Sequence, residues 1–306
     1  MKENFKSEGQ CLYCGKMFAK AGINRHLNTH LKDFTKTGEA GKSFLVKVIT
    51  AKQCGATPYF LCLWVDGETS LKKIDIFLRD IWLECCGHLS AFNSLSINGK
   101  KVDIEHLIDD LDEEDEDEDM DDEEEYDDEE DLIDIFDDED DEDDDEDEDG
   151  EEDSDDDEGD IFNDIFNNLW GGDEDGIPMK LKAGQLFSKG VTMEYEYDFG
   201  SSTYLTIEVV DEYPVKAVLD LVLLSRNEPL KLTCPICGKA PATQLCSVCM
   251  YDDESIFCNK CAKKHAKKCD DFANGLSLPV VNSPRMGVCG YEGGSIDKAR
   301  DGVGQM

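Results

Sequence analysis

The densest chemistry in the chain lies between Cys234 and Cys269, in the run CPICGKAPATQLCSVCMYDDESIFCNKCAKKHAKKC. Seven cysteines and one histidine stand there as three C-x2-C pairs followed by His265-x3-Cys269. Two residues between paired cysteines let both sulfurs grip one metal ion from a tight turn, and eight ligands complete two tetrahedral sites. Zinc is the metal this ligand set and spacing fit. Eight residues separate successive pairs, too few for either site to form a domain of its own. A cross-brace fits best, with Cys234, Cys237, Cys258 and Cys261 on one ion and Cys246, Cys249, His265 and Cys269 on the other. Linear pairing is the alternative, first pair with second and third with His265 and Cys269. The competing reading of the cysteines is a disulfide-stapled secreted module. If protein fills all four positions on each ion, no place remains for an activated water, and the sites are structural.

A second signature stands near the other end: Cys11-x2-Cys14, eleven residues, then His26-x3-His30. This is the spacing of a C2H2-like zinc finger over residues 8–34, one residue short of the common Cys-to-His gap. Phe18 and Ile23 stand where such a finger places its small apolar core, with the helix running through Ile23-Asn24-Arg25-His26-Leu27. A unit this small cannot fold on apolar burial alone, so metal is expected here too, giving about three zinc ions per chain. The helix positions that usually meet bases carry Ala19, Gly22 and Arg25, and of these only Arg25 can form a bidentate contact to guanine. Lys16, Lys20 and Arg25 can reach phosphate. A protein-docking or structural finger is at least as good a reading.

A third set, Cys85, Cys86, His88 and Asp198, is the one candidate for catalysis. A cysteine beside a histidine can be an activated thiolate. Two cysteines ending an apolar helix are more often buried and inert, however, and Asp198 in a hairpin turn is more often a turn former. His88 is expected to order the helix-to-strand turn, with metal ligation as the second reading. No phosphate-cradling glycine loop, nucleophile elbow or His-Glu-x-x-His helix appears. No catalytic residue is assigned.

These groups need a scaffold. At 306 residues the chain has room for about two domains. Its formal charge of −43 is concentrated in residues 109–160, which hold 42 Asp and Glu and no Lys or Arg. The remainder has 31 acidic against 30 basic residues, a net charge of −1, so a nearly neutral fold carries an acidic insert. The first residues lack the apolar run of a signal peptide, and no stretch approaches the roughly 20 apolar residues that span a bilayer. Fourteen cysteines without an export signal fit a reducing compartment, so a cytoplasmic protein is expected.

Residues 43–65 read as two strands around a Gly55/Pro58 break, followed by a helix over 71–86 with Leu71, Ile74, Phe77, Leu78, Ile81 and Trp82 on one face. Thr69 or Ser70 caps it, and Gly87 closes it before a further strand. Downstream, Lys182–Phe187 reads as a helical turn, Val191–Tyr197 and Thr203–Asp211 as a hairpin, and Val215–Leu224 as another strand. The fold class is therefore α+β: a mixed or antiparallel sheet with a packed helix, interrupted by a disordered acidic insert, plus two small zinc-binding modules.

The segments Gly87-His88-Leu89-Ser90-Ala91-Phe92 and Tyr195-Glu196-Tyr197-Asp198-Phe199-Gly200 carry a resemblance. They are similar to the H-L-x-x-F and Y-x-Y-D-F-G-D-x-W-x-H hallmarks of the Ri-plasmid ORF-three-like family, also filed as transposon-passenger TnpR-like. The resemblance implies one α+β domain split over 43–108 and 177–230, around an insert at 109–176. The TnpR label suggests a resolvase, but no arrangement here would carry recombinase chemistry. Ser201, Thr203 and Leu205 stand where the family has Asp, Trp and His. Residues 231–272 resemble MYND-type and B-box-like modules, which chiefly bind proteins, and a loop-rich tail follows at 273–306. Within the module Lys260, Lys263, Lys264, Lys267 and Lys268 fall where its last helix should run.

High charge with little to bury makes 109–160 an expected disordered tract. Two apolar islands punctuate it or flank it, Leu132–Phe136 and Ile161–Trp170. The second has helical spacing suited either to a partner's groove or to the chain's own core. The leading expectation is a non-catalytic zinc protein that recruits protein partners through the acidic-hydrophobic insert and the zinc modules. A nucleic-acid-associated factor using the finger and the basic helix is the first alternative. An enzyme on the ORF-three-like domain is the second.

Overall fold

The apolar runs FLVKVIT, broken only by Lys47, and FLCLWV specify neighbouring strands covered on both faces. The computed structural model of the protein, which describes residues 7–54, 57–102, 176–249 and 255–296, places them side by side. Strand β3 (Ala40–Thr50) pairs antiparallel with β4 (Phe60–Asp66), Phe44 opposite Val65 and Val48 opposite Leu61. The acidic tract and the islands at 132–136 and 161–170 lie outside the described residues.

Around this pair stands a seven-stranded antiparallel sheet. It adds β5 (Ser90–Ile97), β6 (Lys100–Lys101), β7 (Val191–Tyr197), β8 (Thr203–Val215) and β9 (Leu221–Arg226), in the order β6-β5-β7-β8-β3-β4-β9. Strands from before and after the insert are neighbours: Ser90 faces Tyr197 and Ile97 faces Val191. Both flanks of the insert lie along β5, where Val102 N–H donates to Leu95 O and Ile177 N–H to Phe92 O. The third apolar strand starts at Leu221 rather than Val215, because β8 runs on to Val215 and a turn intervenes. The fold is α+β and rich in sheet.

At β4 both faces of the sheet are covered, which is why every residue of that strand is buried. On one face Leu45, Phe60, Cys62, Trp64, Tyr213 and Val215 meet the N-terminal finger. On the other, α2 (Leu71–Leu78) opens with Ser70 Oγ accepting from Lys73 N–H, and its buried Asp75 accepts from Tyr195 Oη at 2.8 Å and Ser90 Oγ at 2.6 Å. The expected helix over 71–86 is α-helical only to Leu78 and then turns wider, as a π-helical segment over Arg79–Leu83. Ile81, Trp82 and Leu83 in this segment are consecutive and all buried.

The finger is a short hairpin, β1 (Glu8–Gln10) with β2 (Met17–Ala19), followed by α1 (Ile23–Phe34). It is joined to the sheet rather than tethered beside it. Ile23, Leu27 and Leu31 are buried against the strands, and Leu12 N–H donates to Leu224 O at 2.9 Å. Gly9 passes so close to β9 that a Cβ there would lie 2.4 Å from Arg226 O. Asn28 Nδ2 donates to Asp211 Oδ2, while Lys189 Nζ holds Oδ1 at 2.9 Å.

Burial works to raise the Asp211 carboxyl, but Lys189 and Asn28 outweigh it and hold it below the usual carboxylate range. A depressed folded pKa contributes stability that is present above the unfolded value of about 3.9 and is lost as pH falls through the folded one. Asp211→Asn should therefore cost about 1.5 kcal/mol in denaturant titrations at pH 7. The difference from the native chain should shrink as the titrations are repeated at pH values below about 4.

Candidate metal centres

Each candidate metal ligand of the N-terminal group is set by a local element. The turn between β1 and β2 presents Cys11 and Cys14, with Gly15 N–H donating to Cys11 O in the left-handed conformation that glycine permits. Helix α1 carries His26 and His30 one turn apart, hence on one face. Their Nε2 atoms stand 3.1 Å apart, and Cys14 Sγ lies 3.2 Å from His26 Nε2. Phe18 stacks on the His26 ring at 4.0 Å, and burial, then His30, lowers the pKa of His26, the direction that favours the neutral form a metal ligand needs. Lys20, expected to reach phosphate, turns inward instead. Its Nζ donates to Thr57 O and Tyr59 O, both at 3.1 Å.

In the C-terminal module the eight ligands divide as a cross-brace. Cys234, Cys237, Cys258 and Cys261 form one group, and Cys246, Cys249, His265 and Cys269 the other, with the ligand atoms of each within 4.8 Å of one another. Three short strands support them, β11 (Ile256–Phe257), β10 (Gln244–Cys246) and β12 (Ser277–Pro279), with helix α4 (Asn259–His265) behind; α3 (Ala183–Leu186) is the turn expected at 182–187. The third strand comes from the tail, so the module's sheet extends past 272. Cys258 begins α4, Cys261 and His265 follow at helical spacing, and the helix therefore contributes to both groups.

The separations fit metal. Thiolates at 2.3 Å from a tetrahedral ion stand about 3.8 Å apart. Cys237 and Cys258 sulfurs are 3.8 Å apart, and those of Cys246 and Cys269 3.9 Å, far beyond a disulfide. His265 Nε2 is buried without a hydrogen-bond partner while its ring stacks on Phe257 at 4.4 Å. Backbone N–H groups of Ala240 and Lys239 point at Cys237 and lower its pKa to about 6. Cys249 goes the other way, pushed up to about 12 by Cys246, then by burial. Crowded thiols give up their protons together only to a cation.

A fourth group was not expected as a metal centre: Cys85, Cys86, His88 and Cys289. Cys85 and Cys86 are not sealed in the core as their position after an apolar helix suggested; Cys85 is half-buried and Cys86 exposed. Cys289, which no spacing pairs, lies beside them. Asp198 is a turn former, its Oδ1 accepting from Gly200 N–H and Ser201 N–H, but its Oδ2 also takes the guanidinium of the fully buried Arg285. His88 Nε2 stands 3.5 Å from that oxygen, so His88 and Asp198 do come together. Arg285 Nη1 donates to Ser201 O and Thr203 Oγ1. The sequence signal for this group was a lone cysteine in a glycine-rich loop, Gly287-Val288-Cys289-Gly290. Its partners are invisible until the tail folds back.

No family model matches the chain, and no curated protein or solved structure matches it either. Among the described residues no helix is long and apolar enough to cross a membrane.

The module's own cluster contains little beyond its ligands: Phe257, Ala262 and Phe272 are the buried apolar residues that are not cysteine. The finger helix, by contrast, has the sheet to pack on. A strong chelator should therefore abolish hydrogen-exchange protection across 231–279 while the amides of Leu27–Leu31 keep most of theirs.

Proposed function

We propose that this chain is a non-catalytic zinc protein that acts as an adaptor, presenting a cross-braced zinc module and an acidic-hydrophobic insert to protein partners in the cytoplasm. The observation that carries this reading is the division of the module's eight ligands into two complete sets of four. Such sites hold structure and leave no position for an activated water. What the module then offers is surface. Ile236 and Val248, inside the first and second C-x2-C pairs, are large apolar residues exposed to solvent, as is Leu276. Lys260, Lys263, Lys264, Lys267 and Lys268 are exposed along and after α4. Apolar knuckles beside a basic helix suit a partner that is itself apolar and acidic. The ORF-three-like resemblance of the sheet adds a link to mobile genetic elements but no reaction.

The nucleic-acid reading retains the exposed Arg25 and the module's lysines. Against it stand the commitment of Lys20 to backbone carbonyls and the 42 acidic residues tethered in the same chain, which repel phosphate. For the enzyme reading, His88 and Asp198 are neighbours, yet Arg285 and three sulfurs crowd the same space.

Replacing Ile161, Phe162, Phe166 and Trp170 together by alanine should abolish capture of partners in cell extract and leave the melting temperature unchanged. Unchanged capture would count against the insert's role. A chain lacking 109–160 should gain no measurable retention on DNA at about 0.15 M salt; strong, salt-sensitive retention would favour the nucleic-acid reading instead.

A further inference from the structure

The cluster at Cys85, Cys86, His88 and Cys289 joins parts of the chain that are 201 residues apart in sequence at His88 and Cys289. Its dimensions match the other three groups. Cys85 and Cys86 sulfurs are 3.7 Å apart, and Cys86 and Cys289 sulfurs 3.8 Å, the edge length expected of thiolates around one tetrahedral ion. His88 Nε2 closes the figure, 3.0 Å from Cys86 Sγ and 3.1 Å from Cys289 Sγ, a few tenths of an ångström tighter than a metal-bound pair. These sulfurs are too far apart to be disulfides, and as free thiols they gain little from each other, since S–H is a weak donor.

Everything around the cluster aims it. The Glu84 carboxylate accepts from Gly87 N–H at 2.6 Å, Tyr197 Oη at 3.1 Å and Arg79 Nε at 2.7 Å, fixing the turn that carries Cys85, Cys86 and His88. Gly87 adopts φ +76°, which lets the chain reverse between the thiols and the imidazole. Cys289 itself has φ +48°, a conformation a cysteine seldom adopts and one that persists where surroundings demand it. Arg285 Nη2 points at Cys85 Sγ from 3.5 Å. A zinc ion with three thiolates and a neutral imidazole is net negative, so a buried guanidinium is the complement such a site calls for.

We propose that Cys85, Cys86, His88 and Cys289 bind a fourth zinc ion, in a Cys3His site that fastens the tail to the turn between the π-helical segment and β5. Each thiol releases its proton to solvent as it takes the metal. The tail between Asn282 and Tyr291 is already keyed into the body. Asn282 Oδ1 accepts from Asn227 Nδ2 at 2.6 Å, Ser283 Oγ donates to Trp82 O at 2.7 Å, and Tyr291 is buried. Beyond it Gly294 lies so close to the π-helical segment that a Cβ would sit 2.2 Å from Asp80 O. The zinc locks this return at its exposed end. The proposal goes beyond the adaptor reading and does not depend on it.

Native mass spectrometry of the full chain purified with zinc should give four ions per chain, and Cys289→Ser should give three. Cys54→Ser, which alters an exposed thiol outside every cluster, should keep four. Peptide mapping after brief alkylation of the unsubstituted zinc-loaded chain provides a readout that no folding defect can imitate. Cys85, Cys86 and Cys289 should be protected while Cys54 reacts, and protection should vanish with chelator. Three ions in the native chain, four retained in Cys289→Ser, or rapid alkylation of Cys86 and Cys289 alongside protected cysteines at 234–269 would overturn the fourth site while leaving the other three standing. A mapped Cys86–Cys289 or Cys85–Cys86 disulfide in freshly prepared protein would overturn it as well.

Discussion

Sulfur crowding is the constraint on which the rest of this structure turns. Groups of thiols and imidazoles stand with their ligand atoms within 4.8 Å of one another, at the finger, twice in the C-terminal module and once where the tail meets the body. Thiolates so placed repel one another, and neutral thiols bond each other only weakly. A divalent cation would remove the conflict at each group. The buried His265 Nε2, which meets no hydrogen-bond partner, and the backbone N–H groups aimed at Cys237 belong to the same arrangement.

The sheet solves a different problem. A finger of this size has too little apolar surface to stand alone, and here it does not have to. Ile23, Leu27 and Leu31 share a core with Leu45, Phe60, Trp64 and Tyr213, so metal and burial act on one helix together. The opposite face of the same strands carries α2, with Asp75 bonded to Tyr195 and Ser90. Strand β4 is thus buried on both sides, and its unbroken apolar run is the record of that. In the module at 231–279 the cluster around the ligands holds only Phe257, Ala262 and Phe272 as buried apolar residues besides cysteine, so the ligand groups themselves make up most of it.

Much of this was legible in the residues. C-x2-C spacing marked the paired cysteines, because two sulfurs three positions apart meet at a tight turn, but it left cross-brace and linear pairing both open; the grouping comes from the fold. The finger followed from the same logic, and the strands of the sheet from their alternation. The helix expected over 71–86 is α-helical only to Leu78, and apolar periodicity does not distinguish an α-helical from a π-helical turn. Arg285 gave no signal at all. A lone arginine in a loop has no period, and its partner Asp198 lies 87 residues away.

By itself, then, the sequence determined the local matters: which cysteines and histidines form knuckles, which stretches are strands, and where charge is concentrated. Those properties repeat over two to four residues, and short-range geometry is enough to set them. The tertiary structure alone decided that the finger lies on the sheet, that the two halves of the domain meet at β5 and β7, and that Cys289 arrives beside Cys86. Contacts between residues this far apart follow from how whole faces bury one another, and no spacing along the chain encodes that.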